Sequence, residues 1–186
     1  EGTKGGKPKI IGFGVSNYYP ENAISNGAIV NFEVLAQNMQ EMFKDRLVGE
    51  ITAKRAACTI PTSHTFSRAM SLPPMDPQHI EEAVKLEAEQ YIPIPLENLY
   101  LDYEIFKNDT TGIDLSLVAT PKNIVDSTIK FLDSVGYEAV VVEPTMNATS
   151  RMFKFDHLYR GEPSLLIDFG SISVDIAVFD QSMFVN

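Results

Sequence analysis

An α/β fold interrupted by a self-contained insertion is predicted by three features of the sequence. The opening third reads strand, helix, strand; the middle third is set off by proline-rich connectors; the last third returns to alternating helix and strand. At 186 residues, with 44% hydrophobic and 22% charged residues, the chain is about one domain long and apolar enough to bury a core.

The β-rich stretch Lys9 to Tyr18, KIIGFGVSNY, predicts a strand, and Pro20, Asn22, Asn26 and Gly27 mark the loop after it. From Asn31 to Phe43 the residues Val34, Leu35, Met39, Met42 and Phe43 recur at helical spacing, with a polar Asn38 among them and Asn31 as N-cap. Ile51 to Ile60 then predicts a strand that stops at Pro61.

In the middle, FSRAMSL is a short strand and PPMDP a rigid connector that places Pro77 at the first position of a helix. Ile80, Ala83, Val84, Ala88 and Tyr91 form the apolar stripe of that helix. The acidic run EEAVKLEAE is its solvated face rather than a metal site, since no histidine stands at ligand spacing. YIPIP, residues 91–95, ends the helix because each proline lacks an amide and pushes the preceding residue towards extended geometry. Leu99 to Phe106 and Ile113 to Ala119 alternate as two strands joined by a turn containing Asn108, Asp109 and Gly112.

Pro121 opens a further helix with the stripe Ile124, Val125, Thr128, Ile129, Leu132 and Val135, and Gly136 caps it. EAVVV, residues 138–142, is expected to be a buried strand, and a helix is expected over Thr145 to Phe155. SLLIDFG and SVDIAVF form two strands around a tight polar turn, followed by a last strand, SMFVN.

Fifteen Lys and Arg against 25 Asp and Glu give a net charge of -10, which argues against nucleic acid as a partner. No run approaches the roughly 18 apolar residues of a membrane span, and EGTKGGKPK lacks the apolar part of a secretion signal. The one cysteine, Cys58, excludes an intramolecular disulfide framework and reads as a small buried hydrophobe in a reducing compartment. Without an initiator methionine, the sequence reads as an excised piece.

Chemistry is expected in LLIDFGSISVDIAVF. There a buried strand delivers Asp168 to a turn where Gly170 allows close backbone approach and Ser171 and Ser173 add hydroxyl donors. The turn amides suit phosphate; Asp168 would repel bare phosphate but suits the water shell of Mg²⁺. An ordinary hairpin with a polar turn is the plain alternative. His64, at the junction into the middle module, suits a hinge or packing role. His79 and His157 suggest no metal. Met70, Met75, Met146 and Met152 suit either core gaps or a peptide groove.

Asp168-Phe169-Gly170-Ser171-Ile172-Ser173 resembles the second phosphate loop of the actin, sugar kinase and heat-shock ATPase superfamily. Glu143-Pro144 resembles its strand-to-helix junction. IPTSHTFSRAMSLP, VEP and EAVKLEAEQYIPIPLENLYLDYEIF, most specifically its YIPIPLENLYLDY, resemble the PilM family of cytoplasmic, actin-like proteins of type IV pilus assembly. The resemblance runs from about Lys9 to the end. It implies an actin-like ATPase (ribonuclease H-like) plan, as in FtsA: residues 1–65 as the first part of subdomain 1A, 66–120 as an inserted strand-helix-strand-strand subdomain 1C, and 121–186 as the second part of 1A with the second phosphate loop.

By the same resemblance Asp168, Gly170, Ser171 and Ser173 would meet ATP phosphates or Mg²⁺ in a complete protein, with Asp168 reaching the metal through water, and Glu143 would orient an attacking water. The first phosphate loop, the adenosine motif and subdomains 2A and 2B are not found, so the chain is expected to be truncated and to bind no nucleotide tightly. The implied function is an adaptor, peripheral to the inner membrane, that captures the cytoplasmic N-terminal segment of PilN within an inner-membrane assembly complex. An ATP-hydrolysing enzyme or kinase, and a secretion or division scaffold like GspL or FtsA, are the alternatives. Self-association through an unpaired sheet edge is also expected.

Overall fold

A computed structural model of the chain describes residues 9–17, 19–155, 162–170, 173–180 and 183–185. The chain divides into two compact units, one of residues 1–58 with 123–142 and the other of residues 59–122 with 143–186.

In the first unit β1 (Gly12–Phe13) pairs antiparallel with β4 (Val48–Gly49), and β2 (Ile24–Ser25) with β3 (Ala28–Ile29). The long strand expected over Lys9 to Tyr18 is thus reduced to two residues. Gly49 takes a φ of +82°, and a Cβ there would lie 2.1 Å from the Ile11 carbonyl oxygen, so the close approach at the Gly12–Gly49 pair requires a glycine at 49. The flanking Ile10, Phe13 and Val15 remain exposed.

Helix α1 (Phe32–Asp45) begins where expected: the Val34 amide donates to the Asn31 carboxamide oxygen at 3.3 Å. Asn38 is tolerated within the stripe because its Nδ2 donates to the Val34 carbonyl at 2.8 Å. Helix α3 (Lys122–Ser134) buries Ile124 and Leu132 and is tied to β3 by the Ile29 amide, which donates to the Ser127 hydroxyl at 3.0 Å. Phe32 of α1 meets Phe131 of α3 edge to face at 6.0 Å. Gly136, at φ +81°, turns the chain out of α3, and the Tyr137 amide donates back to the Leu132 carbonyl.

Strand β5 (Arg55–Ile60) pairs with β9 (Glu138–Pro144), and each strand runs from the first unit into the second. EAVVV was expected to be buried. Val140 and Val141 are instead 39% and 40% exposed, because among the described residues β5 is the one strand beside them.

The second unit holds the middle module together with residues 143–186. β6 (Phe66–Leu72), β7 (Leu99–Asp109) and β8 (Gly112–Pro121) form an antiparallel sheet in the order β6-β8-β7, and α2 (Pro77–Tyr91) contributes to the same core. Central strand β8 buries Ile113, Leu115, Leu117 and Ala119 in one cluster with Ile80, Val84 and Ala88 of α2. Each large side chain so buried stabilises the module by about 1.5–3 kcal/mol. The β7–β8 turn is held by Asp109, whose carboxylate accepts from the Thr111 amide at 2.7 Å and hydroxyl at 2.6 Å.

Helix α4 (Thr145–Phe155) is anchored at its first turn: the Thr145 hydroxyl donates to the Ile60 carbonyl at 3.1 Å, and the Met146 amide donates to the Thr62 hydroxyl at 3.3 Å. Strands β10 (Ser164–Phe169), β11 (Val174–Asp180) and β12 (Met183–Val185) complete the unit as an antiparallel sheet.

Candidate functional site

The β10–β11 hairpin pairs from Ser164 opposite Phe179 to Phe169 opposite Val174. Alternation divides its side chains between two faces. Leu166 and Ala177 pack on the buried Met146 of α4, and the half-buried Asp168 and Asp175 share their face. Leu165, Ile167, Phe169, Val174, Ile176 and Val178 take the other face and are 43–78% exposed. The strand bearing Asp168 was expected to be buried; it is covered on one face only.

The register sets Asp168 directly opposite Asp175. Directly opposed residues hold their Cβ atoms about 4.5–5.5 Å apart, and like charges there repel. Sequence reasoning missed Asp175. Its signal was the hairpin count: a turn spanning 170–173 pairs position 168 with position 175. Among the described residues no group of three or more His, Cys, Asp or Glu side chains is placed to hold a metal ion.

At Gly170 a Cβ would lie 3.0 Å from the Ser173 carbonyl oxygen, so the glycine lets the hairpin close on itself. Its amide is already committed, donating to that same oxygen at 2.9 Å. Ser173 is exposed at the strand entrance. Ser171 lies outside the described residues, as does His157.

Glu143 stands at the end of β9 with its side chain 13% exposed, and both its carboxylate oxygens accept from the guanidinium of Arg151, two turns along α4. That bidentate bond raises the pKa of Arg151, and Glu104 of β7 adds to the effect. Each carboxylate oxygen of Glu143 thus accepts one hydrogen bond from Arg151. His64 lies half-buried in a 3-10 turn, Thr62–His64, between β5 and β6, the junction expected for it. Cys58 is half-buried, and burial pushes its thiol pKa up, away from nucleophilic reactivity.

The family model described as type IV pilus assembly protein PilM matches residues 8–185. Among solved structures the chain is similar to the PilM–PilN type IV pilus biogenesis complex, with a TM-score of 0.76 at 20% identity over 92% of this chain and 52% of that one. It is also similar to the cytoplasmic domain of EpsL, an inner-membrane component of the type II secretion system of Vibrio cholerae, with a TM-score of 0.52 at 14% identity over 84% of this chain and 56% of that one. The chain thus spans about half the length of the solved relatives it matches.

Proposed function

The chain belongs to the PilM family of type IV pilus assembly proteins and has an α/β, actin-like fold, and from that premise we propose that it serves as an adaptor for the cytoplasmic N-terminal segment of PilN. The observation that carries this reading is the family match over 8–185 together with the fold match to a structure that pairs PilM with PilN. An extended segment laid in a groove beside the middle module would gain main-chain hydrogen bonds, with pockets for alternate side chains. No helix among the described residues is long and apolar enough to cross a membrane. Calorimetric titration with a synthetic N-terminal peptide of the cognate PilN, with and without Mg-ATP, tests the proposal. Saturable one-to-one binding supports it; no heat from either this chain or the full-length protein would overturn it.

The hairpin suits a second role, holding Mg-nucleotide phosphates in a longer protein. Asp168 and Asp175 would hold the water shell of Mg²⁺, Ser173 would donate its hydroxyl to phosphate, and Gly170 would admit the phosphate close to the backbone. Mg²⁺ would neutralise the phosphate charge that these carboxylates otherwise repel. Glu143 would join a hydrolytic step only after release from Arg151. In the full-length protein, Asp168→Asn and Asp175→Asn are each expected to weaken Mg-ATP binding about tenfold or more. Unchanged affinity in both variants would reduce the hairpin to a structural element.

A further inference from the structure

The middle module, residues 66–121, carries ten Asp and Glu against three Lys and Arg, so it holds most of the net charge of -10. Each of its three cations is engaged. Arg68 lies 4.5 Å from the ring centroid of Tyr91, Lys85 pairs with Glu81, and Lys107 pairs with Asp109. The module therefore favours a basic partner.

Strand β7 presents this charge at a sheet edge. It pairs with β8 on one side, and among the described residues no strand pairs with its other side. Leu96 to Phe106 contains Glu97, Asp102 and Glu104 and no Lys or Arg. Alternation sends Tyr100, Asp102 and Glu104 to one face, while Leu101 and Tyr103 pack on the module's core on the other. Ile105 shares the face of Leu101 and Tyr103 and is 38% exposed. Among the described residues no cation lies within 4 Å of the exposed Asp102 and Glu104. Of the cations outside the module, Lys122 sits 5.5 Å from the Tyr100 ring centroid, and Arg151, whose pKa Glu104 helps to raise, is bound to Glu143. The register shifts between Ile105 and Lys107, so an added strand has residues 99–105 to follow. Within that span the Tyr103 amide donates to the carboxylate of Asp102, its own neighbour, at 2.9 Å. A side chain thus holds a main-chain donor of the edge strand. Pairing β7 with β7 of a second copy would bring these carboxylates together, which disfavours self-pairing at this edge.

We propose that the open edge of β7 is a docking site for an extended segment of a partner protein in which apolar and basic residues alternate. The segment adds a strand beside residues 99–105. Its apolar side chains lie next to Leu101, Tyr103 and Ile105 and extend the core. Its Lys or Arg side chains meet Asp102 and Glu104 on the other face. One of its carbonyls takes over the Tyr103 amide, which frees the Asp102 carboxylate for the incoming cation.

The test is amide chemical-shift mapping and hydrogen exchange of the 186-residue chain with three capped hexapeptides: Val-Arg-Val-Lys-Val-Arg, its acidic counterpart Val-Glu-Val-Asp-Val-Glu, and the regrouped Val-Val-Val-Arg-Lys-Arg. The alternating basic peptide is expected to shift the amides of residues 99–105 and to slow exchange of the Tyr103 amide, and the acidic one to leave them unmoved. The regrouped peptide has the same charge without the alternation and is expected to bind about tenfold more weakly or worse. The double variant Asp102→Asn, Glu104→Gln, at two exposed positions, should weaken the alternating peptide by a similar factor while amide shifts elsewhere stay in place, and raised salt should weaken it in the wild type. Equal binding of the alternating and regrouped peptides, indifference to the double variant, shifts confined to other elements, or none up to the solubility limit would overturn the proposal. A negative PilN titration would leave this test unaffected, because the probe is the alternating peptide itself.

Discussion

Asp109 accepts from the hydroxyl and amide of Thr111, and this holds its carboxyl below the usual carboxylate range, with Lys107 adding to the effect. A carboxyl depressed in the folded state contributes stability above its unfolded pKa and loses it as pH falls through the folded value. The β7–β8 turn should therefore loosen below about pH 4. An NMR titration should place the Asp109 midpoint below that of an unstructured aspartate; a midpoint at or above it would refute the assignment. Cys58 gives the opposite sign. Burial raises its pKa, so at neutral pH a disulfide reagent should modify it more slowly than a cysteine in an unfolded peptide, and equal rates would show that the thiol is open. Both residues were conspicuous in the sequence, Asp109 as a turn former and Cys58 as the lone thiol. Their surroundings were not, because they depend on which neighbours the fold brings close.

At the scale of elements, what was legible followed from local chemistry. Pro77 opens α2, the Asn31 carboxamide caps α1, Gly136 ends α3, and the turn at 109–112 joins two alternating runs, since each signal acts within a few residues. β1 and β9 were misjudged for the converse reason: a strand's length and burial depend on a partner far along the chain. The start of α4 also rests on a distant residue, because the Thr62 hydroxyl accepts from the Met146 amide. Thr62→Val should cost about 1 kcal/mol by urea denaturation, with Thr62→Ser restoring most of it. Leu117, 1% exposed at the centre of β8, carries the module's packing. Leu117→Ala should cost about 2–5 kcal/mol, and a loss well below that would mean the site collapses without a cavity.

For the molecule as a whole, the outer face of the β10–β11 hairpin is a contiguous set of cross-strand apolar pairs: Leu165 with Val178, Ile167 with Ile176, and Phe169 with Val174. Exposed apolar surface of this kind drives association. We predict concentration-dependent self-association in sedimentation, abolished in the Ile167→Lys, Ile176→Lys double variant. A monomer at every concentration would show that the face tolerates water.

By itself the sequence determined the four helices and the longer strands, several of the caps and turns that end them, the family, and the hairpin that bears Asp168 and Gly170. Those features are written in residues close along the chain, where spacing and side-chain chemistry act directly. Tertiary structure alone decided that Asp175 faces Asp168, that Arg151 occupies both oxygens of Glu143, and that Lys54 comes to rest over Tyr137. Each of these juxtapositions depends on strand register or on packing between distant segments, which local pattern does not encode.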